Sequence, residues 1–318
     1  MARLPGIATL VAAGALALMP GASLAQSWPD GDIDLIIPSG PGGGFDVYGR
    51  VLARAMEETL DVNVLPQNVS GGGGMRGATV AYQAEPDGQT FAVFNVPGII
   101  EPVITGEDVS YDIGQIDWLG AMAFNQYIVM VAADSPYNTI DDLRAAGETI
   151  SFTAYGSSGI AANRILCAEL ELDCQIITGY PSNNEALLGV VRGDAAASVP
   201  PISTAAAFNT GGDLKAIMVM TSGPTALFPD TPTASDAGYP AVASLGLIRA
   251  FGLPPGVPAE TRAAFQQVFD TALAAESVTA WVAETGNAYD PMSGEELSAL
   301  IASQTELLTR YRDVLAAE

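Results

Sequence analysis

The sequence predicts an α/β fold in two lobes, and three observations carry the prediction. Apolar runs of strand length alternate with amphipathic helical stretches, a pattern that places parallel sheets between helical layers. With 318 residues, 49% of them hydrophobic and 15% charged, the chain buries a sizeable core and is long enough for about two domains. Two separate places, residues 39–44 and 155–159, read as a glycine-rich turn between a strand and a helix.

The first strand is Ile33 to Ile37, and Pro38 ends it by removing a donor. The segment Ser39-Gly40-Pro41-Gly42-Gly43-Gly44 follows, and its glycines permit φ > 0 and the close approach of a foreign group. A helix is expected from Asp46. Val47, Val51 and Ala55 share a face with Tyr48, Leu52 and Met56, while Arg50, Arg54, Glu57 and Glu58 lie opposite. Its N-terminus aims unpaired N–H groups and the positive end of the macrodipole at the glycine loop, a setting receptive to a carboxylate or phosphate. Strands at 62–65 and 90–95 enclose a helix over 75–83, and 118–131 reads as a strand crossing between lobes. Thr139-Ile140-Asp141-Asp142 opens a second helical series with a capping-box-like pattern. Strands at 149–153, 175–178, 195–199 and 214–219 build the second lobe, 247–253 returns to the first, and Pro258 opens the C-terminal helices. The expected division is 26–126 with 250–318 for lobe one and 127–249 for lobe two.

Arg3, the apolar stretch 7–19 and Ser23-Leu24-Ala25 read as a signal peptide, residues 1–25, cleaved after Ala25. The stretch is shorter than the ~18 residues of a spanning helix. Export makes a disulfide between Cys167 and Cys174 the expectation, with two buried thiols as the alternative.

Charge and composition exclude whole classes of function. The chain holds 36 acidic against 12 basic residues, a net charge of −24, so nucleic acid is not an expected partner. There is no histidine, and Lys215 is the only lysine, so Ser-His-Asp, Cys-His and Ser-x-x-Lys mechanisms cannot be assembled. The run from Gly72 to Thr79 imitates a phosphate loop but has Ala78 where a lysine must stand. Asp30, Asp32 and Asp34 imitate a calcium loop, yet Leu35 replaces its glycine and Pro41 its final glutamate. No cofactor and no metal are expected.

Several motifs, taken in order, resemble one family. Pro38-Ser39-Gly40-Pro41-Gly42-Gly43 with Asp46 and a helix carrying arginine is similar to the opening of the tricarboxylate-transporter solute-binding proteins, the TctC or Bug family. Gly71-Gly72-Gly73-Gly74, Pro86-Asp87-Gly88, Gly156-Ser157-Ser158-Gly159, Tyr180, Phe228-Pro229-Asp230-Thr231-Pro232 and Pro254-Pro255-Gly256-Val257-Pro258 extend the resemblance over roughly residues 28–318. The resemblance implies a two-lobed periplasmic-binding-protein fold of the Venus-flytrap type. It also implies a periplasmic, non-enzymatic receptor, expected as a monomer, that captures a small organic anion and delivers it to membrane subunits. A mono-, di- or tricarboxylate, aromatic and amino acids included, is the expected ligand class. Two other readings compete: a two-lobed enzyme acting on a carboxylate, and a periplasmic sensor of the same fold.

The candidate ligand contacts follow from where open α/β sheets bind, at the carboxyl ends of their strands. Ser39, Gly40, Gly42, Gly43 and Gly44 form one lip, and Tyr155, Gly156, Ser157 and Ser158 the other. Asp46 caps and shapes the first loop or meets the ligand. Asn95, Tyr180 and Ser198 stand at further strand ends. Arg249 is a cation inside an apolar strand. It is either an exposed or ion-paired position, or a bidentate clamp for a carboxylate.

Overall fold

The structure is a computed structural model and describes Met1 and residues 28–316. Residues 2–25 of the expected signal peptide, and its cleavage site after Ala25, lie outside the described residues. In chain order the first region holds β1 (Ile33–Ile37), α1 (Gly44–Glu57), β2 (Val64–Asn68), α2 (Met75–Tyr82), β3 (Thr90–Val96), α3 (Glu101–Thr105) and β4 (Asp117–Gln126). The second holds β5 (Ile128–Ala132), α4 (Ile140–Ala145), β6 (Ile150–Thr153), α5 (Gly156–Glu169), β7 (Cys174–Ile177), α6 (Asn183–Val191), β8 (Ala197–Ser198), α7 (Ile202–Gly211) and β9 (Leu214–Val219). The chain then returns through β10 (Gly246–Leu253), α8 (Ala259–Leu273), α9 (Glu276–Thr285), β11 (Met292–Ser293), α10 (Gly294–Arg310) and α11 (Arg312–Leu315).

Two sheets result, ordered β11-β4-β10-β3-β1-β2 and β7-β6-β8-β5-β9. Each mixes parallel and antiparallel pairs, because β10 in the first sheet and β5 in the second run against the βα strands, while β4 and β9 run with them. The expected single strand over 118–131 is two strands that part at Tyr127 and enter different sheets. The strand expected at 62–65 sits at 64–68 instead and contains Pro66. It forms the sheet's edge, where a missing donor costs no ladder bond.

The first sheet buries one face against α1, α8 and α9 through Tyr48, Leu52, Met56, Phe265, Phe269 and Val278. Its other face joins a core that continues across the crossing strands, through Ile248, Ala250, Tyr127 and Val129, to Phe152 and Ile165 of the second sheet. The C-terminal helices tie the same junction from outside: Gln304 donates to the carbonyl of Gly246 at 2.9 Å, and Arg164 of α5 donates to the carbonyl of Leu315 at 2.9 Å. Thr139 and Asp142 form the capping box read from the sequence. Cys167, near the end of α5, is bonded to Cys174 at the start of β7, with Cα atoms 6.2 Å apart.

Candidate ligand-binding cleft

The loop between β1 and α1 is shaped by one carboxylate. Asp46 accepts from the Gly42 N–H at 2.8 Å, from Arg50 Nε at 2.9 Å and from Asn68 Nδ2 at 2.8 Å, and is 3% exposed. Burial raises its pKa. The hydrogen bonds from Arg50, Gly42 and Asn68, with the Arg50 charge, outweigh that effect and hold it at about 2 instead of 3.8. Asn68 also donates to the Ser39 carbonyl at 2.8 Å. Both Asp46 oxygens are thus engaged inside the loop, and the residue organises it. Left-handed backbone is confined to Gly42, at φ 79°. Gly43 is the N-cap at φ −71° and ψ 163°, a conformation L residues adopt, though a Cβ there would stand 3.2 Å from the Gly40 carbonyl oxygen; of the four loop glycines only Gly42 uses positive φ.

Arg249 stands on β10 opposite Asn95 of β3 and Ala123 of β4. It is 7% exposed and, among the described residues, the one buried cation. Its Nε and Nη1 have no hydrogen-bond partner, and no carboxylate among the described residues forms an ion pair with it. The guanidinium lies over the ring of Tyr48, 4.1 Å from its centre, and 5.7 Å from that of Phe45. Burial lowers its pKa, opposed by Tyr48 and Tyr127. Its Nη2 approaches the first residue of α1 so closely that a Cβ on Gly44 would stand 3.1 Å away. A buried, unneutralised cation therefore faces the positive end of a helix, two features that both favour an anion.

The second lobe meets this floor at the start of α5. Asn95 donates to the carbonyl of Gly73, and Ser158 Oγ donates to Asn95 Oδ1 at 3.4 Å. Gly73, at φ 62°, passes so near Ser157 that a Cβ would lie 2.8 Å from its Oγ. Only glycine tolerates that backbone with that approach.

A cavity of about 560 Å³ lies where β4 ends, on the face of the crossing strands that carries Arg249, which is not itself one of its lining residues. Asn125 of β4, opposite Leu247, contributes to it with Ile202 at the start of α7, Leu227, Ala288, Tyr289 and Asp290. Tyr48 links the cavity to the cation, since its hydroxyl donates to the Ala288 carbonyl at 2.5 Å. A larger groove of about 920 Å³ between α3 and α10 passes Tyr111 and Trp118, but its charged lining residues are Asp112 and Glu306. Neither cavity has a cation in its wall, and Arg249 is the candidate seat because its buried guanidinium lacks an acidic partner beside the start of α1.

The sequence-selected residues divide accordingly. Gly44, Asn95, Ser157, Ser158 and Arg249 converge on the floor and lips of the cleft. Ser39 lies half-buried with its hydroxyl unpartnered, Gly40 and Gly42 are exposed, and Tyr155 and Gly156 sit exposed at the lip of α5. Ser198 is spent on the carbonyl of Thr153 at 3.1 Å. Tyr180 packs over Gly189 of α6 and donates to Asp194 at 3.4 Å. Sequence reasoning missed Gly73, Phe45 and Asn125, and it read Tyr48 as core alone. The glycine run at 71–74 was the available signal for Gly73.

The pattern of the family described as "Tripartite tricarboxylate transporter family receptor" matches residues 48–311. The chain belongs to that family. The receptor is 28% identical over 273 residues, 83% of each chain, to a UPF0065 protein from the gbd 5' region of Cupriavidus necator. In fold it is similar to a TctC solute-binding protein from Polaromonas, with a TM-score of 0.75 at 20% identity over 89% of this chain and 98% of that one. It is also similar to MatC from Rhodopseudomonas palustris with bound malate, with a TM-score of 0.71 at 22% identity over 91% and 100% of the two chains.

Proposed function

We propose that the receptor is a periplasmic, non-catalytic protein that captures a small carboxylate between its lobes and presents it to the membrane subunits of a tripartite transporter. One observation carries the reading: Arg249 is buried without an acidic partner, beside the N-terminus of α1, in a chain of net charge −24. Leaving a cation uncompensated costs several kcal/mol, and a bound carboxylate relieves that cost through a bidentate fork. Gly44, Asn95, Ser157 and Ser158 complete the seat. The jaws are residues 26–126 with 250–318 and residues 127–249, hinged where β4 passes into β5 and β9 leads to β10. Malate in MatC supports a carboxylate ligand. The absence of histidine and the single lysine disfavour hydrolytic machinery. Cleavage after Ala25 would release the mature, monomeric chain.

Titration calorimetry of the purified protein with acetate, succinate, malate, adipate, citrate and benzoate tests this. The expected result is saturable binding of one carboxylate per chain, abolished in Arg249→Met. Turnover of any of them, or binding indifferent to Arg249, would overturn it.

A further inference from the structure

We propose that the cavity at the end of β4 takes the apolar body of a ligand whose carboxylate rests on Arg249, with an uncharged hydrogen-bond donor at its far end. On this view the receptor selects extended monocarboxylates, such as hydroxyaryl acids, over compact di- and tricarboxylates. The inference rests on the reading of Arg249 as the carboxylate seat.

Position comes first. Arg249 and Leu247 share a face of β10, and Asn125 lies opposite Leu247. Asn125 is thus the diagonal cross-strand neighbour of Arg249, at a backbone spacing of ~7–8 Å, a separation on the scale of a phenyl ring with a short linker. Tyr48 touches both places, its ring under the cation and its hydroxyl on the carbonyl of Ala288, a residue of the cavity wall.

Chemistry comes second. Ile202, Leu227, Ala288 and Tyr289 give the cavity an apolar wall. Asn125 is 6% exposed, and its buried Oδ1 has no hydrogen-bond partner. A buried carbonyl oxygen needs a donor, which a hydroxyl or amide supplies and a carboxylate cannot. The free N–H groups of Ile202 and Ser203 at the start of α7 are the feature here that would receive a second anion. Against that, Asp290 shares the wall and no lysine or arginine is among the lining residues. An apolar body ending in a neutral donor satisfies the wall and Asn125 together.

The test is calorimetry with named probes: straight-chain monocarboxylates from butanoate to octanoate, phenylpropanoate and its para-hydroxy derivative, and succinate, malate and citrate. Affinity should rise about fourfold per methylene until the cavity is filled. The para-hydroxy acid should bind about fivefold tighter than its parent, and Asn125→Leu should erase that gain while leaving the parent unweakened. Leu227 is 53% exposed, so Leu227→Ala tests the wall without endangering the fold. It should weaken octanoate several-fold and spare butanoate. Tighter binding of succinate, malate or citrate than of every monocarboxylate, or equal effects of Asn125→Leu on both aryl acids, would overturn the proposal. If those compact acids still required Arg249, the reading of the cation would stand and the distal subsite alone would fall. No binding by any carboxylate would sink both.

Discussion

The guanidinium of Arg249 lies 4.1 Å from the ring centre of Tyr48, which itself is 1% exposed and anchored through its hydroxyl to Ala288. A cation over an aromatic face gains about 0.5–2 kcal/mol, whereas burying an ion costs several. Tyr48 therefore positions the charge without neutralising it. The same ring connects α1, the crossing strand β10 and the segment leading to β11, so the cation's place is fixed by three separate parts of the first lobe.

Replacing Arg249 should move stability and binding in opposite directions. In Arg249→Met an apolar chain of similar length takes the place of an uncompensated charge, so the ligand-free protein should melt at the same temperature or higher. Carboxylate affinity should fall by about 2–5 kcal/mol, because the bound oxygen atoms lose their counter-charge in a desolvated site. Arg249→Lys should recover only part of that, lacking the planar fork. A melting scan and a titration on the same preparations check both halves. A destabilised apo form with unchanged affinity would make Arg249 structural.

Gly44→Ala probes the geometry of the seat with a single methyl group. Gly44 does not use left-handed backbone, so alanine fits the helix there, but its Cβ would stand 3.1 Å from Arg249 Nη2. The guanidinium is the far end of a flexible side chain and can yield at little cost to the fold. Its orientation toward an anion on α1 changes, and a loss of about tenfold in carboxylate affinity is expected, roughly one charge-assisted hydrogen bond. The melting temperature should hold to within a few degrees. Calorimetry on wild type and variant with the same acid checks it.

Much of this arrangement was legible in the chain. The run Ile33 to Ile37 and the capping box at Thr139 carry their structure locally, in apolar content and side-chain chemistry. Arg249 announced itself because a cation inside an apolar strand must be accounted for. Asn125 did not: it sits at the end of β4 in Phe124-Asn125-Gln126, inside a stretch that reads as one crossing strand. Its role depends on the register that sets it opposite Leu247, and register between strands far apart in sequence leaves no local trace. The break at Tyr127 was invisible for the same reason, since the strand-like stretch 118–131 does not say at which residue the chain changes sheets. Tyr48 read correctly as core, and only the neighbouring charge makes it part of a site.

The disulfide should support the second lobe without touching the cleft. Cys167 and Cys174 are seven apart in sequence, and closing so short a loop is worth about 2 kcal/mol by chain entropy. Reduction, or Cys167→Ala with Cys174→Ala, should lower the melting temperature by several degrees. Cys167 lies ~15 Å along α5 from Ser157, so affinity at a temperature where the protein remains folded should be unchanged. Intact mass without reductant should show two hydrogens fewer than the dithiol, and quantitative thiol labelling of the denatured, unreduced chain would contradict the bond.

Asp46 should leave a signature at acid pH. Its folded pKa of about 2 lies below the ordinary 3.8, so the folded state holds the ionised form more firmly than the unfolded chain does. That preference contributes stability above pH ~4 and is lost as pH falls from there through ~2, an amount of about 2 kcal/mol for a shift of this size. Asp46→Asn keeps the shape and removes the titration. The variant should be less stable than wild type at neutral pH, because Arg50 and Gly42 lose a charged acceptor, and the gap should close as pH falls toward ~2. Urea unfolding of both proteins at steps between pH 2 and 6 measures the difference directly, cancelling the many other carboxylates they share. A gap independent of pH would show that Asp46 shapes the loop by hydrogen bonding alone, with its charge contributing nothing.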